Sequence, residues 1–188
     1  TPYAARRVLD AVQGDRLEAL FTAALASGLR QSETLGLRWS DVNVDAATVS
    51  IQRTLQRVNR AFVFFPPKTA RSRRTISMPA PVAAALHLHM KRQLEERQMM
   101  GAAWEGDAWG GLVFTDEVGK PLTSFHVSRR FKKLLLLAGL PSMRYHDLRH
   151  GAASLMAAQG VSARVAMEIL GHAQISTTLN IYSHVASE

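Results

Sequence analysis

Side chains that could bind an anion or move a proton occur in four short stretches, each where a helix end or a turn is predicted. The stretches are residues 28–33 (GLRQSE), 67–69 (PKT), 146–150 (HDLRH) and 170–172 (LGH), and Tyr182 follows ten residues after His172. The sequence has no Walker phosphate loop, no G-x-G-x-x-G and no G-x-S-x-G motif. Nucleotide-loop and serine-hydrolase chemistry are therefore not indicated.

Each of these residues also has a purely structural explanation. Arg30 is typical of an exposed or helix-capping arginine, and a lysine in a turn, such as Lys68, is normally solvated. His172 could cap the end of a helix, and Tyr182 has the spacing of a residue at the edge of an amphipathic core. No single residue of the set indicates a function.

His146 and His150 lie at positions i and i+4 of a predicted helix, so both imidazoles could bind one metal ion. The segment also resembles the H-E-x-x-H zinc pattern. Two features weigh against a metal site. Asp147 is shorter than the glutamate that acts as the base in that pattern, and Arg149 brings positive charge toward the ion. A metal-dependent hydrolase stays an alternative, which insensitivity of the activity to EDTA would exclude.

The composition indicates a polyanionic partner. The 188 residues include 23 Lys+Arg against 15 Asp+Glu, a net charge of +8, and arginine outnumbers lysine more than threefold. Arginine is preferred where planar, bidentate contacts to phosphate are made, and nucleic acid is the commonest such partner. The chain has no cysteine, which excludes disulfide scaffolds, cysteine zinc sites and thiol catalysis. The longest uncharged apolar stretch, residues 134–143, is too short to cross a membrane.

Hydrophobic spacing predicts an α+β fold: one mainly helical domain, residues 1–188, with a small three-stranded antiparallel sheet near its front. Helices are predicted at residues 3–12, 15–28, 31–37, 81–100, 123–138, 146–158, 162–170 and 176–183. Strands are predicted at residues 48–58, 61–65 and 73–78, with turns at 59–60 and 66–72. A short extended piece is predicted at 112–114. Three strands are close to the minimum for a stable sheet, so this sheet must pack on helices.

Taken together, the motifs resemble those of the tyrosine recombinase (phage integrase) family, over nearly the whole chain and in the same order. They are residues 27–37 (SGLRQSETLGL), 39–42 (WSDV), 67–69 with 72–74 (PKT and SRR), 146–150 (HDLRH), 170–172 (LGH), and 177–178 with 182–184 (TT and YSH). Six elements in one order do not agree by chance. The resemblance implies the fold of DNA breaking-rejoining enzymes, and catalysis without a metal or another cofactor.

The resemblance implies a role for each candidate residue. Tyr182 would attack a backbone phosphate of DNA to give a 3′-phosphotyrosine and a free 5′-hydroxyl. Arg30 and Arg149 would bind the nonbridging oxygens, and His172 would add a third donor. Lys68 would protonate the leaving 5′-oxygen.

Three further residues complete the implied site. His146 would act as the general base or as a hydrogen-bond partner at the phosphate. Glu33 would orient Arg30 or a neighbouring histidine, and His150 would pack behind Arg149 in a structural role.

The implied partner is double-stranded DNA, which the full-length protein would bind as a homo-tetramer on two DNA sites, in the cytoplasm of a bacterium and with no membrane association. Such a protein would be bacterial or phage-encoded and associated with the nucleoid, as part of a mobile genetic element. The N-terminal core-binding domain of the family is not expected within these residues, and the fragment alone should be monomeric without DNA. Two alternatives share the fold: a type IB topoisomerase that relaxes DNA, and a non-catalytic DNA-binding domain.

Overall fold

Helices form most of the chain in its computed structural model, which describes residues 2–67 and 72–172 together with Ser176, Thr178, Leu179 and Tyr182. Within these residues the helices are α1 (Pro2–Val12), α2 (Glu18–Ser27), α3 (Gln31–Leu35), α4 (Ala80–Met100), α5 (Ser124–Leu137), α6 (Tyr145–Ala158) and α7 (Ala163–Leu170). The strands are β1 (Val42–Asn43), β2 (Thr48–Ile51), β3 (Thr54–Val58), β4 (Ala61–Phe65) and β5 (Arg74–Ser77). The prediction of a mostly helical α+β fold with a small antiparallel sheet is confirmed.

The second helix is the centre of the core. Nearly all of its residues are buried, as expected of a helix that is apolar on every side. It packs against α1, α4 and α6, and the ring of Phe21 lies 5.0 Å from that of Phe131 on α5. The helix ends at Gly28, whose φ of +62° is in the left-handed region. A Cβ there would come within 2.3 Å of Leu170 Cδ2, so the ends of α2 and α7 are packed closely together.

The strands form two separate antiparallel units. In the first, β2 lies between β1 and β5, with Val49 paired to Val42 on one side and to Ile76 on the other. The second is the hairpin of β3 and β4. Its two turn residues, Asn59 and Arg60, have φ of 48° and 69°. Such positive values are those of the tight turn whose twist matches a hairpin.

The predicted strand 48–58 is two strands that belong to different units. Burial alternates along β2, as expected of a strand with one buried face. β3 begins with two adjacent buried residues, Thr54 and Leu55, which would point to opposite faces of one continuous strand. The alternation of β2 therefore does not continue into β3. The chain also passes directly over the end of α3. A Cβ on Gly36 would lie 2.9 Å from the Leu55 amide nitrogen. Only glycine permits this approach, which carries the chain into the second unit.

Two other predictions have different outcomes. Residues 112–114 are fully buried, but Leu112 makes only an isolated bridge with Arg38 and the segment is not a strand. Lys68 lies outside the described residues, as does half of the predicted helix 176–183. Among the described helices, none combines the length and the apolar character that a membrane span requires.

Candidate active site

Three arginines from different parts of the chain bind the end of α7. Arg74 Nε donates to the carbonyl of Ile169 at 2.6 Å, Arg149 Nη2 donates to that of Leu170 at 2.6 Å, and Arg30 Nη2 donates to that of Gly171 at 2.8 Å. The last carbonyls of a helix have no partner within the helix and carry partial negative charge. The end of α7 therefore brings three guanidinium groups together.

Arg30 is held at the start of α3 by Glu33. The Arg30 backbone N–H donates to Glu33 Oε2 at 3.0 Å, and Nη1 donates to Glu33 Oε1 at 2.8 Å. Gly28 positions this pair, because the left-handed turn that ends α2 leads directly into α3. The Arg30 side chain is 38% exposed, so it can still reach a ligand.

Glu33 is 2% exposed and is shared with a second arginine. Arg74 Nη1 and Nη2 donate to its two carboxylate oxygens at 3.2 and 3.0 Å. Burial raises the pKa of a carboxyl group, but the hydrogen bonds and charges of Arg74 and Arg30 outweigh burial and lower the pKa of Glu33. The carboxylate is therefore ionised, and it joins the two arginines.

Arg149 is a buried cation, 4% exposed, whose described hydrogen-bond partners are both backbone carbonyls. Nη1 donates to the carbonyl of Gly28 at 2.5 Å and Nη2 to that of Leu170. Burial and the nearby charges of Arg30 and Arg74 lower its pKa to about 9, which leaves it charged at neutral pH.

His172 follows α7 and is half-buried. Its Nδ1 lies 2.8 Å from the hydroxyl of Thr178. Burial, followed by the charges of Arg149 and Arg30, lowers the pKa of His172 to about 4. The imidazole is therefore neutral at physiological pH.

Tyr182 packs on α7, against the small cluster that contains Ala166 and Leu170. Its hydroxyl donates to the carbonyl of Val161 at 2.8 Å. Burial raises the pKa of this hydroxyl. The structure thus places Tyr182 beside α7 with a protonated, hydrogen-bonded phenol.

The two histidines of α6 contact each other. The rings of His146 and His150 are 4.9 Å apart and nearly perpendicular. Partial burial and the charges of His150 and Arg149 lower the pKa of His146. His150 is exposed and its ring packs on that of His146, and the structural role behind Arg149 that was expected from the sequence stays a prediction. In the described ranges, no cluster of three or more acidic or histidine side chains is arranged to hold a metal.

The structure therefore brings Arg30, Glu33, Arg149 and His172 together. It adds one residue, Arg74, which sequence reasoning did not single out. Arg74 belongs to the predicted motif at residues 72–74, but no role was assigned to it. The signal that could have found it is its type: an arginine at the start of a predicted strand has to be paired when its side chain is buried.

The electrostatics of the cluster favour an oxyanion ligand. Two of the three guanidinium groups, those of Arg30 and Arg74, share the Glu33 carboxylate, and Arg149 has no acidic partner within the described part of the chain. Buried charges are normally paired, so an anion is the missing complement. Cations fixed in this way stabilise charge that develops on a phosphoryl group.

Comparison with known proteins gives a consistent result. The model of the phage integrase family matches residues 4–188. A tyrosine recombinase XerC-like protein from Caldanaerobacter subterraneus subsp. tengcongensis is 36% identical over 189 residues, which cover 96% of this chain and 48% of that protein. An integrase from Streptomyces ambofaciens is 30% identical over 190 residues, which cover 95% of this chain and 47% of that protein. The chain spans about half the length of the curated relatives it matches.

Solved structures share the fold. The Tn1549 transposon integrase in complex with transposon right end DNA superimposes with a TM-score of 0.81 at 25% identity, covering 97% of this chain and 60% of that chain. The XerA recombinase superimposes with a TM-score of 0.76 at 22% identity, covering 98% of this chain and 57% of that chain. The second likeness is one of fold alone.

Proposed function

Because this chain belongs to the phage integrase family, we propose that it is the catalytic region of a site-specific tyrosine recombinase. It cuts and rejoins double-stranded DNA through a 3′-phosphotyrosine intermediate. The observation that carries the proposal is the set of three arginines on the end of α7, which needs an anionic ligand. The Tn1549 integrase, whose structure contains transposon DNA, supports DNA as that ligand.

Arg30 and Arg149 bind the two nonbridging oxygens of the scissile phosphate. Negative charge on these oxygens grows as the nucleophile approaches, so cations that are already in place stabilise the transition state more than the ground state. His172 adds a neutral donor. When the Thr178 hydroxyl donates to Nδ1, the ring proton is on Nε2, and Nε2 can then donate to the phosphate.

Tyr182 supplies the nucleophile. Its Oη forms a bond to phosphorus, and the bond between phosphorus and the 5′-oxygen breaks. In the DNA-free chain the hydroxyl donates to Val161 and burial raises its pKa. Both effects keep the phenol protonated, so attack requires the hydroxyl to exchange the Val161 carbonyl for the phosphate and to lose its proton.

His146 and Lys68 carry out the two proton transfers of the reaction. The lowered pKa of His146 keeps its imidazole neutral, so it can accept the proton from the phenol or bind the phosphate. Lys68 gives a proton to the 5′-oxygen, which would otherwise leave as an unstable alkoxide. The phosphotyrosine conserves the energy of the broken bond, and the 5′-hydroxyl of another strand attacks it to rejoin the DNA without ATP.

We further propose that the enzyme works as a homo-tetramer on two DNA sites in the cytoplasm of a bacterium, at the nucleoid. The bacterial and phage origins of the integrase relatives support this setting. Light scattering of the chain with and without DNA tests the assembly. We expect a monomer alone and a larger species only on DNA.

Capture of the covalent intermediate tests the proposed chemistry without knowledge of the target site. The protein is incubated with a pool of nicked duplexes of random sequence, in which the short cleaved strand diffuses away and the adduct accumulates. We expect a protein–DNA adduct on a denaturing gel, and recovery of the attached DNA gives the site. Tyr182→Phe removes the nucleophilic oxygen and should abolish the adduct.

A matched control variant separates loss of the nucleophile from a general effect of replacing a tyrosine. Tyr3→Phe makes the same chemical change at an exposed residue of α1 and should leave the adduct unchanged. An adduct of normal yield in Tyr182→Phe would refute the assignment. Loss of the adduct in EDTA would favour the metal-dependent alternative, and rejoining only within one strand would favour a topoisomerase.

A further inference from the structure

We propose that Arg74 is a positioning residue of the active site: it fixes Glu33 and the end of α7, and through them it holds Arg30 in the geometry that binds the phosphate. This inference rests on the proposed function. The family motifs give Arg74 no role, and this role follows from the contacts of its side chain.

The guanidinium of Arg74 is almost fully used within the protein. Nη1 donates to Glu33 Oε1 and to the carbonyl of Ser72, Nη2 donates to Glu33 Oε2, and Nε donates to the carbonyl of Ile169. These bonds occupy four of the five N–H donors that an arginine has. The side chain is 8% exposed. Arg74 therefore acts through other residues and not as a direct ligand of DNA.

Arg74 and Arg30 share both oxygens of Glu33. Oε1 accepts from Nη1 of each arginine, and Oε2 accepts from Arg74 Nη2 and from the Arg30 backbone. Without Arg74, the Glu33 carboxylate can rotate toward Arg30 and pair with it through both oxygens. Arg30 would then turn inward and lose the orientation in which Gly171 and Glu33 hold it.

Arg74 also sets the position of the end of α7. It binds the carbonyl of Ile169, and it packs so closely on Gly171 that a Cβ there would be 2.8 Å from Nη1. The Gly171 carbonyl is the second acceptor of Arg30. Arg74 thus fixes both groups that orient Arg30, from two separate elements of the chain.

The main test compares Arg74→Lys with Arg73→Lys. Both variants keep the charge, and Arg73 is the exposed neighbour of Arg74 in the sequence. A lysine cannot serve the three separated acceptors that the fork of Arg74 reaches. We expect Arg74→Lys to form the adduct on the order of 10- to 100-fold more slowly at saturating DNA, because small misplacements of a catalytic group have effects of this size. Its Kd for DNA should stay within about twofold, as should both quantities in Arg73→Lys. An adduct rate within threefold of wild type for Arg74→Lys, or an equal loss in both variants, would overturn the proposal.

A double-variant cycle separates positioning from an independent contribution. If Arg74 acts through Arg30, the variant with both Arg30→Lys and Arg74→Lys should be no more than about threefold slower than Arg30→Lys alone. Multiplied losses would mean that Arg74 contributes independently of Arg30, and the positioning role would be wrong.

A second variant covers the case in which Arg74→Lys does not fold at the assay temperature. Glu33→Gln with Arg74→Gln replaces both members of the buried ion pair by neutral amides, so neither is left behind as an unpaired buried charge. It removes the acceptor charge that orients Arg30, so the adduct should form as slowly as expected for Arg74→Lys. Wild-type speed in this variant would overturn the proposal.

A spectroscopic readout distinguishes a failure of this inference from a failure of the proposed function. The side-chain Nε–H signal of Arg30 in a 15N NMR spectrum should shift or broaden in Arg74→Lys and should stay unchanged in Arg73→Lys. If the wild type forms no adduct on any DNA, the proposed function fails while this signal still tests the positioning. An Arg30 signal that is the same in all three proteins refutes the positioning itself.

Discussion

Replacement of Gly171 by alanine tests how tightly the arginine cluster is packed on α7. Gly171 ends α7 with φ of +65°, and a Cβ there would lie 2.8 Å from Arg74 Nη1, 3.0 Å from Cζ and 3.3 Å from Nε. The obstacle is a guanidinium held by hydrogen bonds to Glu33, Ser72 and Ile169, so it cannot simply swing away.

The expected cost has two parts. An alanine in the left-handed conformation costs about 1–2 kcal/mol. Relief of the overlap requires Arg74 to move by roughly half an ångström or more, because relaxed contacts lie at about 3.5–4.0 Å. Such a movement breaks at least one hydrogen bond to a charged group, which contributes about 1.5–3 kcal/mol. We therefore expect Gly171→Ala to lower the free energy of unfolding by about 2.5–5 kcal/mol.

Gly139→Ala and Gly160→Ala are matched controls for the backbone part. These glycines follow α5 and α6 and have φ of +65° and +73°, and a Cβ added to either would meet no atom within 4 Å. Each control should cost only the strain of about 1–2 kcal/mol. Urea unfolding of the three variants and the wild type, compared at equal m-values, gives the difference.

The reasoning fails if Gly171→Ala is no more destabilising than the controls. A difference below about 0.5 kcal/mol would lie within the ordinary scatter of surface substitutions. It would mean that Arg74 moves aside without losing its partners, and that the end of α7 is not a rigid support for the cluster.

Three further predictions concern the chemistry. Lys68→Ala should slow adduct formation on normal DNA by on the order of 100-fold or more, yet leave a substrate with a 5′-phosphorothiolate leaving group nearly unaffected, because sulfur leaves without a proton; equal losses on both substrates would show that Lys68 only positions DNA. Arg149→Lys should lose on the order of 100-fold in adduct rate despite its charge, since one ammonium cannot bind the phosphate and two carbonyls together; adduct formation at nearly the wild-type rate would show that charge alone suffices. The pKa of His172 is lowered from 6.5 to about 4, so the stability that the neutral ring provides is complete above pH 6.5 and is lost as the pH falls toward 4. The urea midpoint of the wild type should therefore drop between pH 7.5 and 5, and that of His172→Asn should drop less. Equal drops in the two proteins would contradict the assignment.

The helices were predictable from the sequence because their ends carry local signals. Thr123 accepts a hydrogen bond from the backbone of His126 as the cap of α5, and Ser162 caps α7 in the same way. Glycines with positive φ follow α2 and α7. These signals depend on neighbouring residues alone, so a reading of the sequence captures them.

The strands were predicted less well because their pairing depends on distant residues. Nothing next to Gln52 and Arg53 indicates that the chain leaves one unit and enters another. The change depends on Gly36, which lies against Leu55, and on Asp41, which forms an ion pair with Arg53. Alternation alone favours one continuous strand.

The residues named from the sequence include one contact that the structure contains, that of Glu33 with Arg30. The resemblance named Arg30, Glu33, Arg149 and His172, and the structure brings them together. It did not indicate that Glu33 is shared with Arg74, because partners far apart in the sequence leave no mark in the local pattern.

The arrangement at α7 has a mechanical consequence. Its last carbonyls accept hydrogen bonds from three guanidinium groups, and Tyr182 packs on the same helix. A displacement of this one helix would therefore remove one acceptor from each of the three guanidinium groups at once, leaving Arg30 and Arg74 on Glu33 and Arg149 on the Gly28 carbonyl. Any neighbouring molecule that moves α7 would change the surroundings of these three side chains and of Tyr182 together.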